Sequence, residues 1–167
     1  MTTGCTVMHG CRGGVHVLRL VGDVRYPVAS SVSGLVTRVF DDEDVTDFVI
    51  DLSESTSIDS TNLGVLARLG VWVNRTCGHP ATVVAGDPHI RELLESMGIS
   101  SVCQVVDHGP NTDISTTAVI ETEPTAQDQL AKVMLDAHRA LMDLSLSNRD
   151  QFVEVVRMLE RQGRKDQ

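Results

Sequence analysis

Apolar positions along the 167-residue chain alternate between short continuous runs and longer helical stripes. Residues 15–22, "VHVLRLVG", have the form of a strand that stops at Gly22. After the loop "DVRYP", the residues Val28, Val32, Leu35, Val36, Val39 and Phe40 recur at helical spacing and predict a helix over 28–41. The run Phe48-Val49-Ile50 lies between Asp47 and Asp51, which suits a strand at 46–52 buried on both faces. Residues 53–59, "SESTSID", form a polar connection, with Ser53, Ser55, Thr56 and Ser57 as loop residues. A helix is predicted from Ser60 to about Arg75, with Leu63, Leu66, Gly70 and Val73 on its inner face. A buried strand follows at 81–86. Asp87 then caps a helix with Pro88 in its first position, and Gly98 stops it. The segment 99–106 is a weaker strand, and a further strand within 5–12 is faintly marked.

Strand and helix in alternation predict an α/β domain with parallel strands and helices packed on the sheet. Composition changes after Val106. The stretch 107–125 has no Lys or Arg and is rich in Thr, Asp, Glu and Pro, so it is expected to be a linker. Beyond it, Leu130, Val133, Met134, Ala137, Leu141 and Leu144 make one stripe, and Phe152, Val153, Val156 and Leu159 make another. The break at "SLSNRD" supplies a turn and a cap. The chain thus divides into a domain at 1–106, the linker at 107–125 and a helical hairpin at 126–163. A hairpin of that size is too small to be stable alone. It must dock on the main domain, pair with a second copy as a homodimer, or wait for a partner.

Bulk composition narrows the function. The formal net charge is −9, against nonspecific nucleic-acid binding and against docking on anionic lipid. Neither a signal peptide nor a stretch long enough to span a membrane is recognisable, so a cytoplasmic location is expected. Cys5, Cys11, Cys77 and Cys103 include no C-x-x-C pair, and free thiols are expected rather than a disulfide or zinc site. No metal or cofactor motif is present, nor any nucleotide-binding or hydrolase signature. The six histidines, His9, His16, His79, His89, His108 and His138, sit in no recognisable catalytic pattern.

The junction "SIDSTNLGVL" at 57–66 concentrates the chemistry. A buried strand's connection meets a helix start there, where free N–H groups and a partial positive charge favour anions. Three roles are open to Ser60. It could help Asp59 cap the helix, act as a nucleophile, or accept a phosphate. On local pattern alone the cap is the ordinary role. A nucleophile needs a positioned base, and the sequence places none beside it. A phosphate would cost the folded domain little but would add roughly −1.5 to −2 charges to a surface that a partner must touch.

The same residues resemble the STAS domain of bacterial anti-sigma factor antagonists. The strongest stretch is "VIDLSESTSIDSTNLGVLARL" (49–69), similar to the family's strand, D-L-S/T, short loop and I/M-D-S-[ST]-G-L-G-V-L. Upstream, "LVGDVRYPVASSVSGLV" (20–36) resembles the family's L-x-G-[DE] turn and helix. Downstream, "ATVVAGDPHIRELLESMGI" (81–99) resembles its strand and the helix ending S-x-G-[IL]. The resemblance covers 15–106 and implies a SpoIIAA-like fold: a mixed sheet with helices packed on it, here extended by the C-terminal hairpin. It implies that Ser60 is the phosphorylated serine, preceded by Asp59 and followed by Thr61. Asn62 departs from the family's glycine, and Gly64 matches its later one.

The resemblance further implies partner switching without enzymatic activity. The free antagonist binds an anti-sigma factor, a serine kinase (often that factor itself) breaks the complex, and a PP2C-type phosphatase restores it. The expected interface comprises Asp23, Arg25, Asp59, Thr61, Asn62, Leu63 and Gly64. Asp23 and Arg25 could equally be solvated turn residues, and Leu63 a core residue. The "IDST-x-LG" variant with the hairpin is similar to proteobacterial HsbA-type regulators, associated with flagellar and biofilm decisions. The rival expectation is a STAS subunit of a larger assembly, a lipid-transport ABC complex or a stress-sensing particle. Membrane co-purification or very large particles would mark it.

Overall fold

The computed structural model describes residues 4–110, 118–120 and 126–165. Its first strands form a hairpin, β1 (Thr6–Arg12) and β2 (Val15–Val24), antiparallel and in register from Thr6↔Val21 to Arg12↔Val15. The connection is Gly13-Gly14, both at positive φ (58° and 81°), the backbone that a two-residue hairpin turn demands. Helix α1 (Tyr26–Phe40) then leads to β3 (Asp47–Asp51), β4 (Ser55–Ile58), α2 (Ser60–Cys77), β5 (Ala81–Val84) and α3 (Pro88–Ser96). After a single 3-10 turn (Ile99–Ser101) come β6 (Cys103–Val106), β7 (Ala118–Ile120), α4 (Gln127–Met142) and α5 (Leu146–Lys165).

The sheet runs in the order β6-β5-β3-β2-β1-β7, with β4 paired to the end of β2. Neighbours β2, β3, β5 and β6 are parallel, while β1 pairs antiparallel with both β2 and β7. The sheet is therefore mixed, as the family resemblance implies. Period-two alternation assigns its faces. Leu18, Leu20, Phe48, Ile50, Ala81 and Val83 point to the helices and join the main core. Val17, Val49 and Val84 form a smaller cluster on the opposite face, where Arg19 pairs with Asp51 at 3.1 Å. The predicted both-face burial of β3 is observed: Phe48, Val49 and Ile50 are all buried.

Three local readings need correction. The stretch 53–59 is not merely a polar loop, because Ser55–Ile58 form β4. Its backbone pairs with β2 despite polar side chains, and the buried Ser55 hydroxyl donates to the Leu20 carbonyl at 2.6 Å. Residues 99–106 begin as a 3-10 turn rather than a strand. Gly98 takes φ 77° there, and the Ser101 hydroxyl donates to its carbonyl. The strand faintly marked within 5–12 is present as the seven-residue β1, whereas the linker is the third reading to change. In the stretch expected as linker, 118–120 add a strand beside β1, and 111–117 and 121–125 lie outside the described residues.

Helices α1 and α2 lie against one another over the main core, and α4 crosses both. The packing of α4 on α2 is close. Gly64 makes it possible, since a Cβ there would collide with the Ala137 backbone. Helix α5 packs back along α4, with an Arg139–Glu160 ion pair at 2.7 Å. The fully buried Asn148 fixes the hairpin turn. Its amide donates to the carbonyls of Met97, at the end of α3, and Leu141, each at 2.8 Å.

Candidate functional site

The site grows from the end of β2. Gly22, at φ 92°, sits where the pairing with β4 shifts register, and its N–H donates to the Glu54 carbonyl at 3.0 Å. That irregularity turns Asp23 towards β4. The Asp23 carboxylate accepts from the Ser57 hydroxyl and from the Arg25 guanidinium, the latter at 2.7 Å. The Ser57 hydroxyl first, and then Arg25, hold this carboxyl below the usual carboxylate range. Arg25 is exposed, and its pairing with Asp23 is internal to the turn.

β4 delivers the chain to α2. Asp59, extended at φ −89° and ψ 171°, is the N-cap. One carboxylate oxygen accepts from the Asn62 N–H at 3.0 Å and from the Asn62 side-chain amide at 2.9 Å. The capping role therefore belongs to Asp59, and the Ser60 hydroxyl is left for another use. Asp59→Ala should cost about 1–2 kcal/mol of stability, as cap removal generally does. Thermal denaturation would register it as a midpoint lower by roughly 2–8 °C for a chain of this size.

Thr61, Asn62 and Leu63 turn inward, at 3 %, 0 % and 1 % exposure, and Leu63 belongs to the main core. The Asn62 side-chain oxygen Oδ1 is buried without a hydrogen-bond partner among the described residues. Gly64 lies one turn beyond Ser60, beneath α4. Ser57, Asp59, Ser60, Asp23 and Arg25 at this junction are partly or fully exposed.

Ser60 itself is half-buried, and its hydroxyl lies 3.0 Å from His138 Nε2 on α4. His138 Nδ1 is 2.6 Å from the Met134 carbonyl. A carbonyl can only accept, so Nδ1 carries the proton in the neutral ring and Nε2 accepts from the Ser60 hydroxyl. The imidazole is 4 % exposed and meets the edge of Phe152. Sequence reasoning missed His138, because 78 residues separate it from Ser60. One signal pointed to it. His138 falls four residues after Met134 and three before Leu141, on the apolar stripe of α4. The hydroxyl, imidazole and carbonyl stand in the order of a nucleophile, base and orienting group.

Elsewhere, no group of three or more His, Cys, Asp or Glu side chains among the described residues could hold a metal ion. The four cysteines are free thiols. Burial pushes the Cys103 thiol up to about 12. No described helix is long and apolar enough to cross a membrane.

A mixed sheet with helices packed over one face, and a helix capped by Asp59 where β4 leads into α2, define the class of fold. The sequence model of the STAS domain matches residues 8–110, and the chain belongs to that family. Among solved structures, an anti-sigma factor antagonist from Mycobacterium paratuberculosis superimposes with a TM-score of 0.56 at 21 % identity, covering 65 % of this chain and 90 % of its own. The anti-sigma factor antagonist SpoIIAA in its unphosphorylated form gives a TM-score of 0.51 at 11 % identity, covering 64 % of this chain and 90 % of its own. No curated protein sequence matches the chain significantly.

Proposed function

We propose that this protein is a non-enzymatic anti-sigma factor antagonist that works by partner switching, with Ser60 as the reversibly phosphorylated residue. The observation that carries this reading is the division of labour at the start of α2. Asp59 caps the helix, so the Ser60 hydroxyl is not needed as the cap; it is partly exposed, bonds to His138 and sits at an anion-favouring helix terminus. Membership of the STAS family and the antagonist fold support it.

In this account the partner is an anti-sigma factor that also serves as the serine kinase, or acts with one, and a PP2C-type phosphatase reverses the modification. Asp23, Arg25 and Asp59 offer charge to the partner's rim. Thr61, Asn62 and Leu63 act from beneath by fixing the first turn of α2. Gly64 provides a flat floor on which another backbone can lie. The cycle operates in the cytoplasm.

Ser60→Ala should remain folded and hold its anti-sigma factor constitutively, because the cap is untouched. Ser60→Asp should weaken that hold. Pull-down of the anti-sigma factor by the two variants, compared with the unaltered chain, tests this. Equal capture by both variants would refute the assignment. Labelling of Ser60 by a fluorophosphonate probe would favour hydrolysis instead.

A further inference from the structure

The surface that a kinase or partner must reach already has an occupant. Helix α4 lies along the stripe of α2 that carries Ser60 and Gly64, setting His138 against the first and the Ala137 backbone against the second. This occupant lies beyond the region matched by the family, although Ala137, Leu141 and Phe152 join the main core. The STAS match ends at residue 110, and the mycobacterial antagonist uses 90 % of its own length to cover only 65 % of this chain.

We propose that the α4–α5 hairpin is a built-in cover of the Ser60 face, which must lift before any protein-sized partner or kinase can engage it. Docked hairpin and bound partner are mutually exclusive, because Gly64 can receive only one backbone. The inference rests on the reading of Ser60 as the switch, and it adds a second level of control. The cover is held by the Gly64–Ala137 approach, the Ser60–His138 hydrogen bond, Asn148 tethered to Met97, and Ala137, Leu141 and Phe152, which join the main core. A unit held by one face can open while the sheet stays intact.

The test is thiol accessibility in the full-length chain carrying Ser60→Cys. The reagent is a maleimide on a polyethylene glycol chain, and the modified sites are mapped by mass spectrometry. Two native thiols are internal standards: exposed Cys11 reports free access, and buried Cys103 reports loss of the fold. A thiol at a helix N-terminus is intrinsically reactive, so slow modification there measures the cover. The introduced thiol is expected to react at least about tenfold more slowly than Cys11, at a rate that levels off as reagent is raised, because lifting becomes limiting. Adding Leu141→Asp should accelerate its modification at least about tenfold while Cys103 stays silent. Should Leu141→Asp expose Cys103, Gly64→Ala gives the same test, since its methyl group meets only the Ala137 backbone among its nearest neighbours. An introduced thiol modified as fast as Cys11 in the otherwise native chain, or unaffected by the opening substitutions, overturns the proposal. The readout involves no kinase, partner or phosphate. A failure of the switch itself would instead appear as an unmodified Ser60 in cells with the alkylation pattern unchanged.

Discussion

A chain synthesised with phosphoserine at position 60 is expected to bind its anti-sigma factor at least about 100-fold more weakly than the unmodified chain, since charge mismatches at an interface cost several kcal/mol. The added group brings roughly −1.5 to −2 charges and three oxygens to the mouth of α2. The domain accommodates it, because the first turn of a helix favours anions and Asp59 already satisfies the Asn62 N–H. The partner does not, because it must desolvate that charge or leave it unpaired. The loss should appear chiefly in the dissociation rate. It should resist added salt better than an effect of surface charge alone, since the charge meets the partner at contact range. Calorimetric titration of both chains with the purified anti-sigma factor measures the difference. Melting temperatures within a few degrees of each other would show that the domain itself is not the target.

The second large effect is structural. Phe48→Ala should destabilise the chain by about 3–5 kcal/mol and lower the thermal midpoint by about 10 °C. Phe48 is the most voluminous of the fully buried side chains, and it stands on β3 between the helices and the sheet. Its ring also stacks on His16, with centroids 5.6 Å apart. Removing it leaves a cavity beneath α1 and α2 that a rigid sheet cannot close. The strand that leads into β4 and Ser60 would loosen with it. Chemical denaturation should therefore show a lower midpoint with an unchanged slope, while the folded fraction keeps its partner affinity.

The elements legible in the sequence were those whose side chains report their environment. Phe48-Val49-Ile50 announced a buried strand, and the stripe from Val28 to Phe40 announced α1. Asp87-Pro88 marked the start of α3, and Gly98 its stop. What escaped was structure made by backbone. β4 is built from Ser55, Thr56, Ser57 and Ile58, and it pairs with β2 through main-chain groups that apolar periodicity does not register. β1 was faint because its outer positions are exposed, although Gly13-Gly14 between two runs is a strong hairpin signal. The candidate site divides the same way. Asp59 and Ser60 could be read from the helix start, and the structure gives the capping role to Asp59, whose carboxylate accepts from the Asn62 N–H. His138 could not be joined to Ser60 from the chain alone, since the pairing depends on how α4 crosses α2. The exposure of Leu63 was likewise undecided by helical spacing, and the core claims it.

The account turns on where the cell places a phosphate. The decisive measurement is phosphosite mapping of the full chain isolated from its own cells, before and after treatment with a PP2C-type phosphatase. The partner-switching account predicts a single phosphate on Ser60 that the phosphatase removes. A chain that carries no phosphate under any growth condition, or carries it on Ser57 or Thr61 with Ser60 untouched, would contradict it.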